Sequence, residues 1–581
     1  MPTFVRLTDY KNSEEKEKGF FEVKNRYVAN QEDFFKIPGA PIAYWVSDRV
    51  REIFANKKIE DYSTLFQGII TGDNEKYLRY WYEISFNKIT LRAKDIESVD
   101  YKNKYWVPYN KGGESRKWYG NQEIIVNFKE KGRNFTRGRH QFYPFFFKPY
   151  FSWTYISSTS LAIRFFPQGF IWDVSGSGCF PKDEKNIFYF LGLIGSKVGK
   201  KLLEIINPTM NYQVENIAVV PVIFPDTVKK NKLINVIKEN IDISKEEWDS
   251  RETSWDFRTN ELVRMKSEKL KVESDVRLED VYNEYCNCWK EKFYKLHKNE
   301  KELNKLFIEI YGLEDELTPD VELEDITILK KEAKIENGEL VFDKKEIIKQ
   351  FISYFVGVLF GRFSLDKEGL VLANLGEGIE EYLKQIPNPS FLPDDDNVVP
   401  VLEREYFEDD IVSRFKEFVK VVFGEKYFSE NMRFIENAVG DIRKYFNKEF
   451  YKDHIQRYKK RPIYWMVTSK NGAFKALIYM HRFKPDIFAR VRNEYLLELI
   501  AKIESRIESL DKRLSAAVTK EKKQIEKELV KLNKELKELY DFDKVLQKYA
   551  NKTFEIDLDD GVKANYCKFK EILYPISNLC K

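Results

Sequence analysis

Histidine and cysteine are scarce in this chain. Four histidines and five cysteines are spread over 581 residues, which leaves little material for a metal centre. His140, His297, His454 and His481 include no pair at a zinc-ligand spacing, so Cys286-x-Cys288 lacks the second couple that a structural zinc site needs. The two thiols are expected in a helical core, and His454 and His481 in packing or hydrogen bonding. No metal ligand is assigned. The five cysteines, Cys179, Cys286, Cys288, Cys567 and Cys580, are odd in number and widely scattered, which suits a reducing compartment and not a disulfide framework. No apolar run approaches the roughly 20 residues that span a bilayer. The longest candidate, residues 351–360, reads as a buried helix or strand. Met1-Pro-Thr-Phe-Val-Arg-Leu7 lacks the layout of a secretory leader. These absences predict a soluble cytoplasmic protein with no membrane partner. A dominant charge is also missing: 98 basic residues face 94 acidic ones, a net charge of +4. Any case for a nucleic-acid partner therefore rests on where the charges sit.

What is present is enough apolar material for large cores, 43% hydrophobic and 15% aromatic residues. The length predicts three or four domains, and the patterning predicts an α+β, multidomain chain. Residues 1–75 are mixed and polar, with a turn at Ile37-Pro-Gly-Ala-Pro41, and read as a connector. Residues 76–230 read as strands and loops with mixed α/β character. Strands are expected at 122–128, 154–158 and 217–224, and a helix over 187–203. Residues 231–320 form a helical spacer, and 321–495 a mixed, mainly helical region interrupted at 461–467. From 496 to 548, Ile503, Ile507, Leu510 and Leu514, then Ile525, Leu529, Leu532, Leu536 and Leu539, keep three-and-four spacing. They predict one long coiled-coil-like helix with a stutter near Val518. Its apolar seam requires a partner, within the molecule or in another chain. Residues 549–581 form a C-terminal tail.

The densest charge feature lies in residues 101–148. It contains Lys102, Lys104, Lys111, Arg116, Lys117, Lys129, Lys131, Arg133, Arg137, Arg139 and Lys148 against three glutamates, interleaved with Trp106, Tyr109, Trp118, Tyr119, Phe135 and Tyr143. Such cations neutralise phosphates, and aromatics stack on unpaired bases. A solvated basic surface over an aromatic core has the same composition. Asp394-Asp395-Asp396 could suggest a metal-dependent nuclease, but three consecutive acids after a proline are expected to form a solvated loop. Leu375-Gly-Glu-Gly378 lacks the third glycine of a dinucleotide fingerprint and reads as a turn.

Longer blocks, in order, are far more specific: Ile37-Pro-Gly-Ala-Pro-Ile-Ala-Tyr-Trp45, Gly68-Ile-Ile-Thr-Gly-Asp-Asn74, Pro108-Tyr-Asn-Lys-Gly-Gly113, Arg116-Lys-Trp-Tyr-Gly-Asn121, Asn207-Pro-Thr-Met-Asn-Tyr-Gln-Val214, Trp248-Asp-Ser-Arg-Glu-Thr-Ser-Trp-Asp-Phe257, Phe360-Gly-Arg-Phe-Ser-Leu-Asp366, Phe450-Tyr-Lys-Asp-His454, Lys460-Arg-Pro-Ile-Tyr-Trp465 and Ala476-Leu-Ile-Tyr-Met-His-Arg482. This ordered set resembles the C-terminal, target-recognition half of the PglX family, adenine-specific DNA methyltransferases of BREX phage-defence systems. It is similar, more loosely, to fused restriction–modification methyltransferases.

The resemblance implies transfer of a methyl group from S-adenosylmethionine to N6 of adenine by a domain upstream of the matched region. Neither Asn-Pro-Pro-Tyr nor Asp-Pro-Pro-Tyr occurs here. No catalytic or cofactor-binding residue is therefore assigned, and activity from this chain alone is not expected. The expected partners are double-stranded DNA, a methyltransferase catalytic domain or chain, and other BREX proteins. Candidate DNA contacts are Lys111, Arg116, Lys117, Trp118, Tyr119, Asn121, Arg133, Arg137 and Arg139. Thr71, Gly72, Asp73 and Asn74 are candidates for positioning DNA or docking the catalytic domain. The leading expectation is a recognition portion whose catalysis is supplied separately. The competing ones are an inactive fragment of a broken gene and a non-catalytic DNA or defence-complex interaction protein, with a nuclease last.

Overall fold

A computed structural model describes residues 1–138, 140–155, 161–207, 209, 211–269, 275–515 and 518–580. An N-terminal hairpin pairs β1 (Thr3–Val5) with β2 (Arg26–Val28). The turn after it forms as expected: the Ala40 N–H donates to the Ile37 carbonyl at 2.9 Å, with Gly39 and Ala40 at positive φ.

Eight strands follow: β3 (Ser63–Phe66), β4 (Leu78–Tyr80), β5 (Trp106–Asn110), β6 (Ile124–Asn127), β7 (Tyr150–Trp153), β8 (Ile163–Phe166), β9 (Ile171–Trp172) and β10 (Gly178–Pro181). They make two four-stranded sheets, ordered β3-β10-β7-β8 and β4-β6-β5-β9. Neighbours are antiparallel except β5 and β9. Residues from both sheets meet in one aromatic core. Phe66 stacks on Phe142 at 3.9 Å and on Phe180 at 5.2 Å, while Val107, Val126, Tyr150 and Ile171 close in around them. Such ring pairs favour offset packing and bury large areas, so much of the aromatic excess is structural. The strand predicted over 122–128 is β6. Residues 156–158 of the one predicted over 154–158 lie outside the described residues.

Helix α1 (Asn74–Tyr77) leads into β4. The helix predicted over 187–203 is two, α2 (Ile187–Gly195) and α3 (Lys197–Ile206). Ser196 separates them because its extended backbone lets Oγ accept the Gly199 N–H at 3.2 Å and cap α3. The strand predicted over 217–224 does not form. Val214–Ala218 is helical, and Val220 and Val222 meet residues 57–59 only through an isolated bridge, the Ile59 N–H donating to the Val220 carbonyl and the Val222 N–H to the Lys57 carbonyl. Pro221 between them has no N–H to extend a ladder.

Three helices follow, α4 (Thr227–Asp249), a helix at Glu261–Lys269 and α5 (Leu278–Tyr311). Along α5, Val281, Tyr285, Trp289, Phe293, Leu296, Leu303 and Phe307 are buried on one stripe, the signature of an amphipathic helix. Gly312, in the left-handed region, ends it. Beyond it lie the hairpin β11 (Ala333–Glu336) and β12 (Glu339–Phe342), and a sheet ordered β13 (Val399–Pro400), β15 (Lys475–Tyr479), β14 (Tyr464–Thr468). The interruption expected at 461–467 is thus strand β14.

The single long helix expected over 496–548 is a helical hairpin, α6 (Leu497–Leu514) and α7 (Thr519–Ala550). Ion pairs Arg492–Asp543, Arg506–Glu528 and Arg513–Glu521 show the antiparallel register. Ile503, Leu510, Leu532 and Leu539 are buried, so the seam finds its partner inside the molecule. The phase offset between the two apolar blocks falls between α6 and α7. The tail contains α8 (Gly561–Cys567), and there the sparse cysteines depart from expectation. Cys567 and Cys580 form a disulfide with Cα atoms 5.4 Å apart, because the tail folds back on itself, while Cys179, Cys286 and Cys288 are free. Among the described residues no helix is long and apolar enough to cross a membrane.

Candidate nucleic-acid interface

The turn at residues 71–74 is built from its own side chains. Thr71 is buried and donates its hydroxyl to Asn74 Oδ1 at 2.9 Å, and Asp73 caps α1 by accepting the Lys76 N–H at 2.9 Å. Gly72 has φ +85°, and a Cβ there would lie 2.0 Å from Thr136 Oγ1. Gly72, Asp73 and Asn74 are exposed. Gly72→Ala is expected to cost about 1–2 kcal/mol through the left-handed backbone alone. A thermal melt with no decrease would contradict that role.

The loop that follows β6 runs beside this turn. Ile70 and Arg137 exchange both backbone hydrogen bonds at 3.0 Å, and the Thr136 N–H donates to the Thr71 carbonyl at 3.4 Å. Phe135 is buried and meets the edge of Tyr77 at 5.0 Å. The backbone is therefore fixed while Arg133 and Arg137 project outward, exposed and forming no ion pair among the described residues. Two of the predicted contacts are thus brought together with the positioning turn. Arg139 lies outside the described residues. Lys102, Lys104, Lys129 and Lys148 are exposed as well; Lys131 pairs with Glu97 at 3.6 Å.

The part of the cluster from Lys111 to Asn121 faces the other way. Arg116 packs over Trp248, donates to the Tyr119 carbonyl at 2.7 Å and pairs with buried Glu247. Lys117 Nζ lies 2.7 Å from Glu300, and Trp118 Nε1 donates to the same carboxylate at 2.8 Å. Trp118 and Tyr119 are buried, as are Trp106 and Tyr109. Lys111 pairs with Asp173 at 2.6 Å. Asn121, half-buried, donates to the Glu114 carbonyl at 2.9 Å. Arg116, Lys117 and Trp118 hold the sheets against α4 and α5, Lys111 and Asn121 bond within the sheet region, and none of those aromatic faces is open to a base. The expectation of DNA contact from Arg116, Lys117, Trp118 and Tyr119 is corrected accordingly: buried cations need acids, and the acids come from helices 131 and 183 residues away.

Around Glu247 the polar groups form a network that sequence reading missed. Arg251 makes a two-pronged contact with Glu332 at 2.5 and 2.6 Å and a further bond to Glu247 at 2.8 Å. Tyr285 donates to Glu332 at 2.7 Å. Burial would raise the Glu247 carboxyl, but Arg116 and Arg251 override it and hold its pKa at about 2.

Other sequence candidates prove structural. The His454 ring accepts the Tyr464 N–H at 3.2 Å, and His481 Nε2 donates to the Ile84 carbonyl at 3.1 Å; burial holds both neutral, His481 at about 3. Asp394 to Asp396 do not form the expected solvated loop. Asp394 is buried and accepts the Asn397 N–H at 2.6 Å, and Tyr495 donates to Asp396 at 2.9 Å, leaving only Asp395 exposed. The turn at residues 375–378 is closed by Glu377, whose carboxylate accepts the Ala373 and Asn374 N–H groups.

No protein-family model matches the chain. The adenine-specific methyltransferase BrxX of Escherichia coli O9:H4 (strain HS) is 35% identical over 599 residues, covering 98% of this chain and 48% of that protein. The chain matches about half of an adenine-specific methyltransferase. PglX of Lacticaseibacillus casei (strain Zhang), also an adenine-specific methyltransferase, is 33% identical over 610 residues, covering 99% of this chain and 48% of PglX. The chain thus spans about half the length of the PglX and BrxX relatives it matches. Among solved structures, the Type IIL restriction-modification enzyme MmeI in complex with DNA aligns at 13% identity with a TM-score of 0.28, over 45% of this chain and 34% of MmeI. A likeness at that level carries no argument.

Proposed function

We propose that this chain is the DNA-recognition portion of an adenine-specific (N6) DNA methyltransferase of the BREX type. It holds duplex DNA in register while a separate S-adenosylmethionine-binding domain or chain transfers the methyl group. The observation that carries this reading is the match of nearly the whole chain to half of the PglX and BrxX methyltransferases, in a sequence without an Asn-Pro-Pro-Tyr-type tetrapeptide. The geometry supports it at the 71–74 turn and the 129–138 loop. There, exposed arginines that form no ion pair among the described residues sit on a backbone hydrogen-bonded to Ile70 and Thr71, as phosphate and base-edge contacts require. S-adenosylmethionine belongs, in this reading, to the half of the relatives that this chain does not match.

The test is equilibrium binding to duplex DNA over a range of salt concentrations. Arg133→Ala with Arg137→Ala is expected to weaken binding at least tenfold and to reduce the slope of log affinity against log salt by about two, one for each lost phosphate contact. A double variant that keeps the parental affinity and slope removes this edge from the interface.

A further inference from the structure

A cavity of about 610 Å³ lies between α1, the edge strand β4 and α8, and Asn74 of the turn forms part of its lining. That size suits a small organic ligand and exceeds the need of a bare inorganic anion. The walls are held by contacts between residues 479 to 488 positions apart. Glu83 accepts the Val562 N–H at 2.8 Å, Arg79 donates to the Asp560 carbonyl at 3.0 Å, and Lys563 pairs with Glu75 at 2.6 Å.

Its chemistry is divided. Leu78, Tyr80, Ile124 and Leu579 supply apolar surface, and Arg79, Arg461, Lys563 and Lys570 supply positive charge against Glu75, Glu83 and Asp560, of which Glu75 is taken by Lys563. The nearest carboxylate to Arg461 is Glu83 at 3.8 Å, and Lys570 forms no ion pair among the described residues. Arg79 Nε is buried without an acceptor. A planar apolar group joined to a multivalent anion satisfies both halves, since phosphate oxygens accept from guanidinium and ammonium groups together.

We infer that this cavity binds a nucleoside phosphate, with the phosphate on Arg461 and Lys570 and the base against Leu78, Tyr80 and Ile124. The nucleotide comes either free from solution or as an unstacked residue of a strand lying on the adjoining turn.

The experiment is calorimetric titration of the full chain with dAMP, deoxyadenosine and inorganic phosphate in turn. Saturable 1:1 binding of dAMP is expected, at least tenfold tighter than either component alone. Arg461→Ala with Lys570→Ala is expected to weaken it at least tenfold. Ala564→Trp, which fills the cavity and leaves the cations in place, is expected to do the same. Arg133→Ala with Arg137→Ala leaves dAMP affinity unchanged, so a failure of the DNA reading and a failure of this site remain distinguishable. In a second arm, duplex DNA carrying 2-aminopurine is added. A fluorescence rise that Ala564→Trp abolishes identifies the strand as the source, and dAMP binding without that rise identifies the free nucleotide. Absence of saturable dAMP binding at millimolar concentration, together with no such rise, overturns the inference.

Discussion

Replacing Glu300 with alanine is expected to destabilise the protein by about 3–5 kcal/mol, the cost of stranding a buried charge. Glu300 is 2% exposed, and its two oxygens receive Lys117 Nζ and Trp118 Nε1 from the sheet region. Removing the carboxylate leaves an ammonium with a side chain only 12% exposed and an indole N–H with no acceptor. Glu300→Gln, which can still accept from the indole but loses the charge, is expected to fall between wild type and Glu300→Ala. Denaturant midpoints for the three proteins measure this. A Glu300→Ala midpoint equal to wild type means that Lys117 reaches water, which returns it to the list of DNA contacts.

The second large effect is on acid stability. The folded Glu247 carboxyl sits at about 2 against an ordinary value of 4.5, because Arg116 and Arg251 outweigh its burial. A depressed carboxylate contributes stability that is complete above its unfolded pKa and is lost as pH falls through the folded one. The window is therefore pH 4.5 down to about 2, and the contribution is on the order of 3 kcal/mol. Buried Asp394 and Glu83 are shifted upward and act in the opposite direction, so the measurement is a difference. The stability of wild type minus that of Glu247→Gln, followed by denaturation from pH 6 to pH 2, is expected to shrink across that window. A difference that stays constant with pH contradicts the network.

Fold class, the long helix α5 and the two-block helical seam were legible because each rests on local period and composition. Val281 to Phe307 carry their three-and-four spacing whatever they pack against, and β6 shows its β-branched content within a few residues. What failed was long-range. Arg116, Lys117, Trp118 and Tyr119 have the composition of a nucleic-acid patch, and only Glu247 and Glu300, far along the chain, turn them inward. Nothing in the window 101–148 separates them from Arg133 and Arg137, which stay outside. The hairpin of α6 and α7 was half visible: the phase slip was present, but a stutter and a turn leave similar marks when two blocks of leucines are read alone. Pairing of Cys567 with Cys580 depends on how the tail folds back, which spacing does not specify.

The central claim is recognition of a DNA sequence, and selection from a pool of randomised duplexes tests it most directly. After several rounds of capture on the full chain at physiological salt, the retained duplexes are sequenced. The account predicts enrichment of one short motif containing an adenine, lost in the Arg133→Ala, Arg137→Ala protein. Retention of all sequences alike, or of none, contradicts a recognition role.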